Sequence, residues 1–393
     1  MLLALILVLV VISQGCASTD MSPLGTDKTV QLEDDERRLW LRVQEEERRL
    51  DASGQLYEDE ILATYVNSVA RRLMPEMKQD SPLTFQVKII KNPLLNAFAY
   101  PNGVIYVHTG ILARMENEAQ LATLLGHEMT HATHRHTLKS QRSLKNKTAI
   151  LASVQTLLGP FGAFGSIVAL LGAIGTTAAV TGYSQDLEEE ADTQGLEMMV
   201  KAGYAPEEAP KLFQHLKKDV EERNIKEPFF FGTHPHLQER IESYTDLIAN
   251  RYAGKKGEIN TGLFMTHVSA LILINEASDL ALGRFSLVET QIRRLLQREQ
   301  DNAQAHFFLG EVYRQRNAQG DLEKAEEEFR QAVAANSLFA EPHNVLGLIY
   351  FKQGHREAAK AEWEQYLGLA PNARDRAYIQ QHLDNMKYGS GDR

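Results

Sequence analysis

Cysteine is nearly absent from this sequence: Cys16 is the only one in 393 residues. The chain can therefore form no intramolecular disulfide bond. An excess of positive charge is also missing, because 52 acidic residues outnumber 42 basic ones and give a formal net charge of −10. Phosphate binding needs a basic surface. The sequence thus excludes a disulfide-stapled fold and argues against a nucleic-acid partner.

The first uncharged run, at residues 1–13, is too short to span a bilayer. It has the length of the apolar core of a secretory signal. The tetrapeptide SQGC that follows resembles a bacterial lipobox, in which the cysteine is acylated, although Ser13 replaces the preferred leucine and no Lys or Arg precedes the run. We interpret residues 1–16 as a signal peptide with lipidation at Cys16, and 17–30 as a linker. The alternatives are a plain cleaved signal and a buried N-terminal helix.

A second run without charge covers residues 149–179. Its length alone would allow a transmembrane segment. However, Gly159-Pro160 and Gly162 divide it into two pieces that are each short for a span. We predict a helical hairpin that is buried or rests on the membrane surface, with a true span and a substrate-facing lid as alternatives.

The periodicity of the first half predicts helices and a few strands. Residues 31–50 have the pattern of a solvated helix rich in Glu and Arg, and 57–75 that of an amphipathic helix. Residues 85–90 and 104–108 have the character of strands. Residues 117–137 suit a buried helix. The predicted fold class is therefore α+β and mostly helical, with a small sheet in the domain at 31–255.

The C-terminal part, assigned to a second domain at 256–390, is repetitive. The recurring positions are Leu309, Gly310, Tyr313, Ala325 and Phe329, and then Leu346, Gly347, Tyr350, Ala359 and Trp363. They are the positions of the tetratricopeptide pattern, a 34-residue helix pair with small residues where the helices pack closely. Residues 260–300 are a possible degenerate copy. Such helical repeats predict a protein partner.

The sequence His127-Glu128-Met129-Thr130-His131 is an HExxH pattern. On a helix, residues four apart lie on one face, so both imidazoles can bind one metal ion. The intervening glutamate can then accept a proton from a water held there, which makes Glu128 the candidate general base. The alternative is a pair of surface histidines on a solvated helix.

A third ligand defines the class of site. Thr137 stands where a metzincin would have its third histidine, so that class is excluded. In the gluzincin arrangement the ligand is a glutamate on a later helix, followed four residues on by an aspartate. Glu188 and Asp192 fit this spacing, with Asp192 accepting the free N–H of a ligating histidine. The predicted cofactor is one Zn²⁺, and Glu189 and Glu190 remain alternative ligands.

Four motifs occur in order along the chain: HEMTH, SQDLEEEAD, Thr233-His234-Pro235 and Arg240-Ile241. The stretch NAFAYPNGVIYVHTGIL precedes them. Over roughly residues 55–250 the sequence resembles the HtpX/CAAX-prenyl-protease-like family of gluzincin metallopeptidases. One position departs from the family pattern, because Gln185 stands where arginine is usual, and this leaves a local salt bridge in doubt.

The resemblance implies roles for further residues. Strand 104–108 would be the sheet edge to which a substrate peptide adds. His234 would lie near the zinc, stabilising the oxyanion or occupying the fourth metal position, although a residue at a helix start is the alternative. Arg240 would stabilise the tetrahedral intermediate or hold the His234 loop. His134 and His136 are interpreted as surface or structural residues.

Together these features predict an exported zinc endopeptidase in the periplasm, anchored by lipid to the bacterial outer membrane. Its expected substrates are misfolded, stalled or misassembled envelope proteins, and its repeats would recruit clients or an assembly machine. Membrane contact would come from the anchor and from 149–179. The competing hypothesis is a chaperone or scaffold whose active site is plugged, with His234 as the plug.

Overall fold

The computed structural model describes residues 18–25, 31–74, 81–145, 182–223 and 237–388. Three of the predicted features lie outside these residues: the signal peptide with Cys16, the uncharged run at 149–179, and His234. The chain divides into two compact units, residues 1–268 and 269–393.

Helices and a small sheet make up the described part of the first unit. In chain order they are α1 (Asp34–Asp51), α2 (Glu60–Leu73), β1 (Gln86–Ile90), β2 (Ala97–Ala99), β3 (Val104–His108), α3 (Thr109–Arg114), α4 (Glu118–Thr133), α5 (His136–Lys145), α6 (Gln185–Lys201), α7 (Glu208–Arg223), α8 (Leu237–Arg251) and α9 (Thr261–Ala281), which continues into the second unit. The second unit continues with α10 (Phe285–Leu296), α11 (Ala303–Arg316), α12 (Asp321–Ala335), α13 (Ala340–Lys352), α14 (Arg356–Leu369) and α15 (Arg376–Tyr388). The α+β, mostly helical fold class is confirmed.

The sheet has the strand order β1-β3-β2. β3 pairs in parallel with β1 and antiparallel with β2, so both of its sides are occupied. The prediction that residues 104–108 form a free edge for a substrate is therefore wrong. Strand order depends on pairing between distant segments, and the motif in β3 carries no information about its neighbours.

α1 packs on the sheet instead of standing in solvent. Leu39, Val43 and Leu50 lie on one face of α1 and join a core cluster with aromatic residues of the sheet, among them Phe98 and Tyr106. The rings of Phe98 and Tyr106 are stacked at 5.3 Å. The prediction of a solvated helix was wrong for this face, because three well-placed apolar residues suffice to bury it.

The HExxH sequence lies on α4, which is shorter than predicted. α4 begins after Asn117, whose side chain accepts a hydrogen bond from the backbone N–H of Gln120 at 3.0 Å. It ends at Thr133, and α5 starts at His136. Between them Arg135 has a left-handed φ of 60°, a conformation that interrupts a helix. This turn brings the start of α5 back beside the end of α4.

Part of the predicted linker at 17–30 packs on the first unit. Leu24 is fully buried, and its N–H donates to the carbonyl oxygen of Thr133 at 2.8 Å. Arg142 Nη1 donates to the carbonyl oxygen of Ser18 at 2.7 Å. Over the ranges that the structure describes, no helix combines the length and the apolar character that crossing a membrane requires.

The second unit contains the predicted tetratricopeptide architecture. α11 packs against α12, and α13 against α14. Gly310 faces the ring of Phe329 and Gly347 faces the ring of Trp363, so that the small and large residues of the repeat meet within each pair.

Substitution of Gly347 by alanine is expected to lower the free energy of unfolding of the second unit by about 1–3 kcal/mol, the usual cost of overpacking. The new Cβ would lie 2.8 Å from Cγ of Trp363, which is too close. Gly368→Ala is the matched control, since nothing lies within 4 Å of its Cβ and alanine favours a helix. Urea unfolding followed by the fluorescence of Trp363 in a Trp40→Phe background measures both, and an equal midpoint for the two variants would contradict this packing.

Candidate metal centre

The predicted ligands His127, His131 and Glu188 lie together where α4 and α6 pack against each other. Nε2 of His127 is 3.0 Å from Nε2 of His131. Oε2 of Glu188 is 3.5 Å from the first nitrogen, and Oε1 is 3.5 Å from the second. Within the described ranges, no other group of three or more His, Cys, Asp or Glu residues has ligand atoms that all lie within 4.8 Å of one another. Glu189 and Glu190 do not belong to the group.

The spacing of these atoms fits a zinc ion. Zinc binds nitrogen and carboxylate oxygen at about 2.0–2.2 Å in a tetrahedron, which separates neighbouring ligand atoms by about 3.3–3.6 Å. The observed separations of 3.0 and 3.5 Å are close to this. Two imidazoles and one carboxylate are also a donor set of catalytic zinc sites, in which the fourth position is left for water or substrate.

Two glycines allow α4 and α6 to approach this closely. A Cβ on Gly195 would lie 2.8 Å from the carbonyl carbon of Gly126, and a Cβ on Gly126 would lie 2.8 Å from the carbonyl oxygen of Gly195. A larger side chain at either position would separate the helices and move Glu188 away from the histidines. Neither glycine was predicted to matter. The available signal was glycine inside a helix, where it is unfavourable without a packing reason.

Asp192, four residues after Glu188, contacts the first candidate ligand, His127. Its Oδ1 lies 2.8 Å from Nδ1 of His127 and accepts the hydroxyl of Tyr244 at 2.8 Å. Burial lowers the pKa of His127 to about 4, with help from the Arg240 guanidinium. The imidazole is therefore neutral at pH 7, the form that binds metals. Its Nδ1–H donates to Asp192, which leaves the Nε2 lone pair for the metal.

Arg240 lies behind His127, in contact with Asp192. Its Nε donates to Oδ2 of Asp192 at 2.8 Å, and its guanidinium stacks over the ring of Phe213 at 4.2 Å. Burial alone would raise the pKa of the Asp192 carboxyl, but Arg240 and His127 hold it well below its usual range. Sequence reasoning missed Tyr244 and Phe213, although Tyr244 follows Arg240 by four residues and so shares its helix face.

Glu128 is 1% exposed and follows His127 on α4. Its carboxylate lies close enough to Tyr183 to contribute, after burial, to raising the pKa of that hydroxyl. The Tyr183 ring stacks on His131, with centroids 4.0 Å apart and an angle of 17° between the planes. Its hydroxyl shares a hydrogen bond of 2.9 Å with Oγ1 of Thr137. Tyr183 was not predicted, since it stands just before the acidic motif and matches no pattern.

His134 and His136 differ in position. Nε2 of His134 is 3.9 Å from Glu190 in a half-buried setting. His136 is fully buried and contacts His131 directly. Of the two predicted settings for His136, surface or structural, the structure has the structural one, because the turn at Arg135 directs the side chain inward. Gln185, which replaces the usual arginine, donates from Nε2 to Oε2 of Glu239 at 3.2 Å.

Two family models match this chain. The model of peptidase family M48 matches residues 60–248, a range that contains the proposed ligands, Glu128 and Arg240. The model of a tetratricopeptide repeat matches residues 340–373, the second predicted copy. The family resemblance stated from the motifs is confirmed by the first match.

Several known proteins are similar to this chain. The beta-barrel assembly-enhancing protease of Escherichia coli (strain K12) is 29% identical over 198 residues, which cover 49% of this chain and 40% of that protein. The mitochondrial metalloendopeptidase OMA1 of Schizosaccharomyces pombe is 29% identical over 178 residues, covering 45% of this chain and 50% of that protein. The chain thus matches about two fifths of the length of the first relative.

Among solved structures, MamA from Desulfovibrio magneticus RS-1 covers 48% of this chain and 88% of its own at 14% identity. The TM-score is 0.24, too low to indicate a shared fold. The identification therefore rests on the two family models and on the relatives. Residues 60–248 of this chain are a peptidase family M48 domain, and a tetratricopeptide repeat follows at 340–373.

Proposed function

We propose that this chain is a zinc-dependent endopeptidase that hydrolyses misfolded or stalled proteins of the bacterial cell envelope. The observation that carries the proposal is the donor set of His127, His131 and Glu188, with Glu128 beside it, inside a peptidase family M48 domain. These three donors would hold the ion, and the two helices that supply them fix their separation.

A zinc ion bound at these donors supplies Lewis-acid polarisation of a peptide carbonyl and lowers the pKa of water. Glu128 takes a proton from the attacking water as the new C–O bond forms. It then delivers that proton to the leaving nitrogen as the C–N bond breaks, so the carboxylate is regenerated. Asp192 keeps His127 in the tautomer that presents Nε2, and Arg240 acts through Asp192 as a positioning residue.

His234 is proposed to lie near the ion, where it would stabilise the oxyanion or fill the fourth position before substrate arrives. The proposal rests on its motif, Thr233-His234-Pro235. For Arg240 we favour a positioning role over a direct catalytic one, because its guanidinium contacts Asp192.

The envelope as the place of action is supported by two observations. The relatives from Escherichia coli and Yersinia pestis are both beta-barrel assembly-enhancing proteases. The sequence at 1–16 has the features of an export signal with a lipidated Cys16. We propose a periplasmic protein held at the outer membrane by this lipid, with the repeats binding a protein partner or client.

The proposal is tested by incubating the purified chain, loaded with one zinc per molecule, with an unfolded outer-membrane protein. We expect fragments that appear with zinc, disappear with a chelator and return when zinc is restored. The same outer-membrane protein, folded in detergent, is the control and should stay intact. Absence of cleavage by chains with full zinc occupancy would overturn the enzymatic function.

A further inference from the structure

A second buried histidine contacts the proposed zinc ligand His131. Nδ1 of His136 lies 2.7 Å from Nδ1 of His131, and His136 is 0% exposed. Nε2 of His136 lies 3.0 Å from Oε2 of Glu190. A continuous series of hydrogen bonds therefore runs from Glu190 through His136 to His131.

The direction of these bonds follows from the proposed metal function, on which this inference rests. His131 turns its Nε2 toward Glu188 and His127, so Nε2 must carry the lone pair and Nδ1 the proton. Nδ1 of His136, at 2.7 Å, lies within hydrogen-bond distance to accept that proton. Nδ1 of His136 is then an acceptor, so its own proton sits on Nε2 and is donated to Glu190. This set of tautomers is consistent with both hydrogen bonds of His136.

The fold holds this series of side chains in place from several sides. The left-handed turn at Arg135 starts α5 so that His136 faces back toward α4. Nε of Arg135 donates to Oε1 of Glu36 on α1 at 2.8 Å, which ties the turn to the body of the unit. Nζ of Lys139, one turn along α5, lies 3.3 Å from Oε2 of Glu190.

We propose that His136 and Glu190 are positioning residues of the metal centre, which fix the tautomer and ring orientation of His131. They do for His131 what Asp192 does for His127. The support differs in kind, because Asp192 is a buried carboxylate in direct contact, whereas Glu190 acts through a second imidazole. Such outer partners typically contribute about 10–100-fold to metal affinity.

The test is zinc affinity of the full chain, measured by competition with a chromophoric chelator. His136→Phe removes the acceptor and Glu190→Ala removes the terminal carboxylate; each is expected to weaken zinc binding by about 10–100-fold. His136→Gln should restore part of the affinity, because its side-chain oxygen can accept the His131 N–H. Glu190 is half-exposed, so its variant can be made without a cavity in the core.

Matched controls are available on the same unit. Glu197→Gln changes a carboxylate on α6 of similar exposure, 37% against 36% for Glu190, which pairs with Lys201. His215→Gln changes a partly exposed histidine on α7. Both controls should keep the wild-type zinc affinity and the thermal midpoint of the zinc-free wild type.

The visible spectrum of the Co²⁺-substituted chain reports the geometry around the metal ion, and a change in the stability of the fold alone does not shift it. We expect the bands of His136→Phe and Glu190→Ala to shift from those of the wild type, and those of the controls to stay. If the wild type binds zinc tightly and both variants match its affinity and spectrum, the positioning role is refuted while the metal site stands. If the wild type itself binds no zinc, the proposed function fails as well.

Discussion

Glu128→Gln is expected to lower the rate of peptide hydrolysis by about 10²–10⁴-fold, the usual contribution of a positioned general base. The glutamine has the same size and can still form hydrogen bonds, but it cannot take the proton of the attacking water. Since Glu128 is buried beside the ligands without being one of them, zinc content should remain that of the wild type. The measurement is kcat on a fluorogenic peptide, with zinc content determined on the same samples.

Glu197→Gln serves as the matched control here too, and it should hydrolyse at the wild-type rate. Hydrolysis at an undiminished rate by zinc-loaded Glu128→Gln would show that another group is the base. The same variant separates the peptidase from the chaperone or scaffold hypothesis. In a strain that lacks this chain, a peptidase function predicts that Glu128→Gln fails to restore envelope integrity, whereas a binding module predicts full restoration.

The grouping of the three candidate ligands could be predicted because the information for it is largely local. His127 and His131 are one helical turn apart, and so are Glu188 and Asp192, so each pair is placed on one face by helix geometry alone. The meeting of the two pairs depends on Gly126 and Gly195. That contact joins residues 69 positions apart, and no short motif encodes it.

The position of His136 could not be predicted for a similar reason. A periodic pattern continues through 117–137, and nothing in it marks the break at Arg135. The break is stabilised from outside, by the ion pair of Arg135 with Glu36 on a helix 99 residues earlier. β3 is the central strand because it pairs with two separate segments, β1 and β2, and its own sequence does not encode this pairing. Tertiary contacts decided both features.

The tetratricopeptide repeat was predictable because its contacts repeat. Gly310 and Phe329 meet in one helix pair, and Gly347 and Trp363 meet in the same way in the next. A pattern that occurs twice at corresponding positions specifies both the helices and their packing. The sheet of the first unit has a sequence pattern that occurs only once, so no second copy indicates which residues meet.

Glu188→Ala is expected to weaken zinc binding by more than about 100-fold, because even the outer partners of zinc ligands contribute about 10–100-fold. The side chain supplies one of three protein donors, and its two oxygens lie 3.5 Å from the two imidazole nitrogens. Zinc content after dialysis against a chelator measures the effect, with Glu189→Ala as the matched control on the same helix. Glu189 is exposed and should be dispensable for metal binding.

Thermal unfolding gives an independent measure of the same loss. A ligand that binds only the folded state raises its stability by RT ln(1 + [L]/Kd), so added zinc should raise the melting temperature of the wild type and of Glu189→Ala. Glu188→Ala should melt at one temperature with or without zinc at concentrations that saturate the wild type. Tight zinc occupancy and a zinc-dependent shift in Glu188→Ala would instead show that the third ligand is another residue. The gluzincin assignment would then be wrong, although the HExxH helix could still bind the ion.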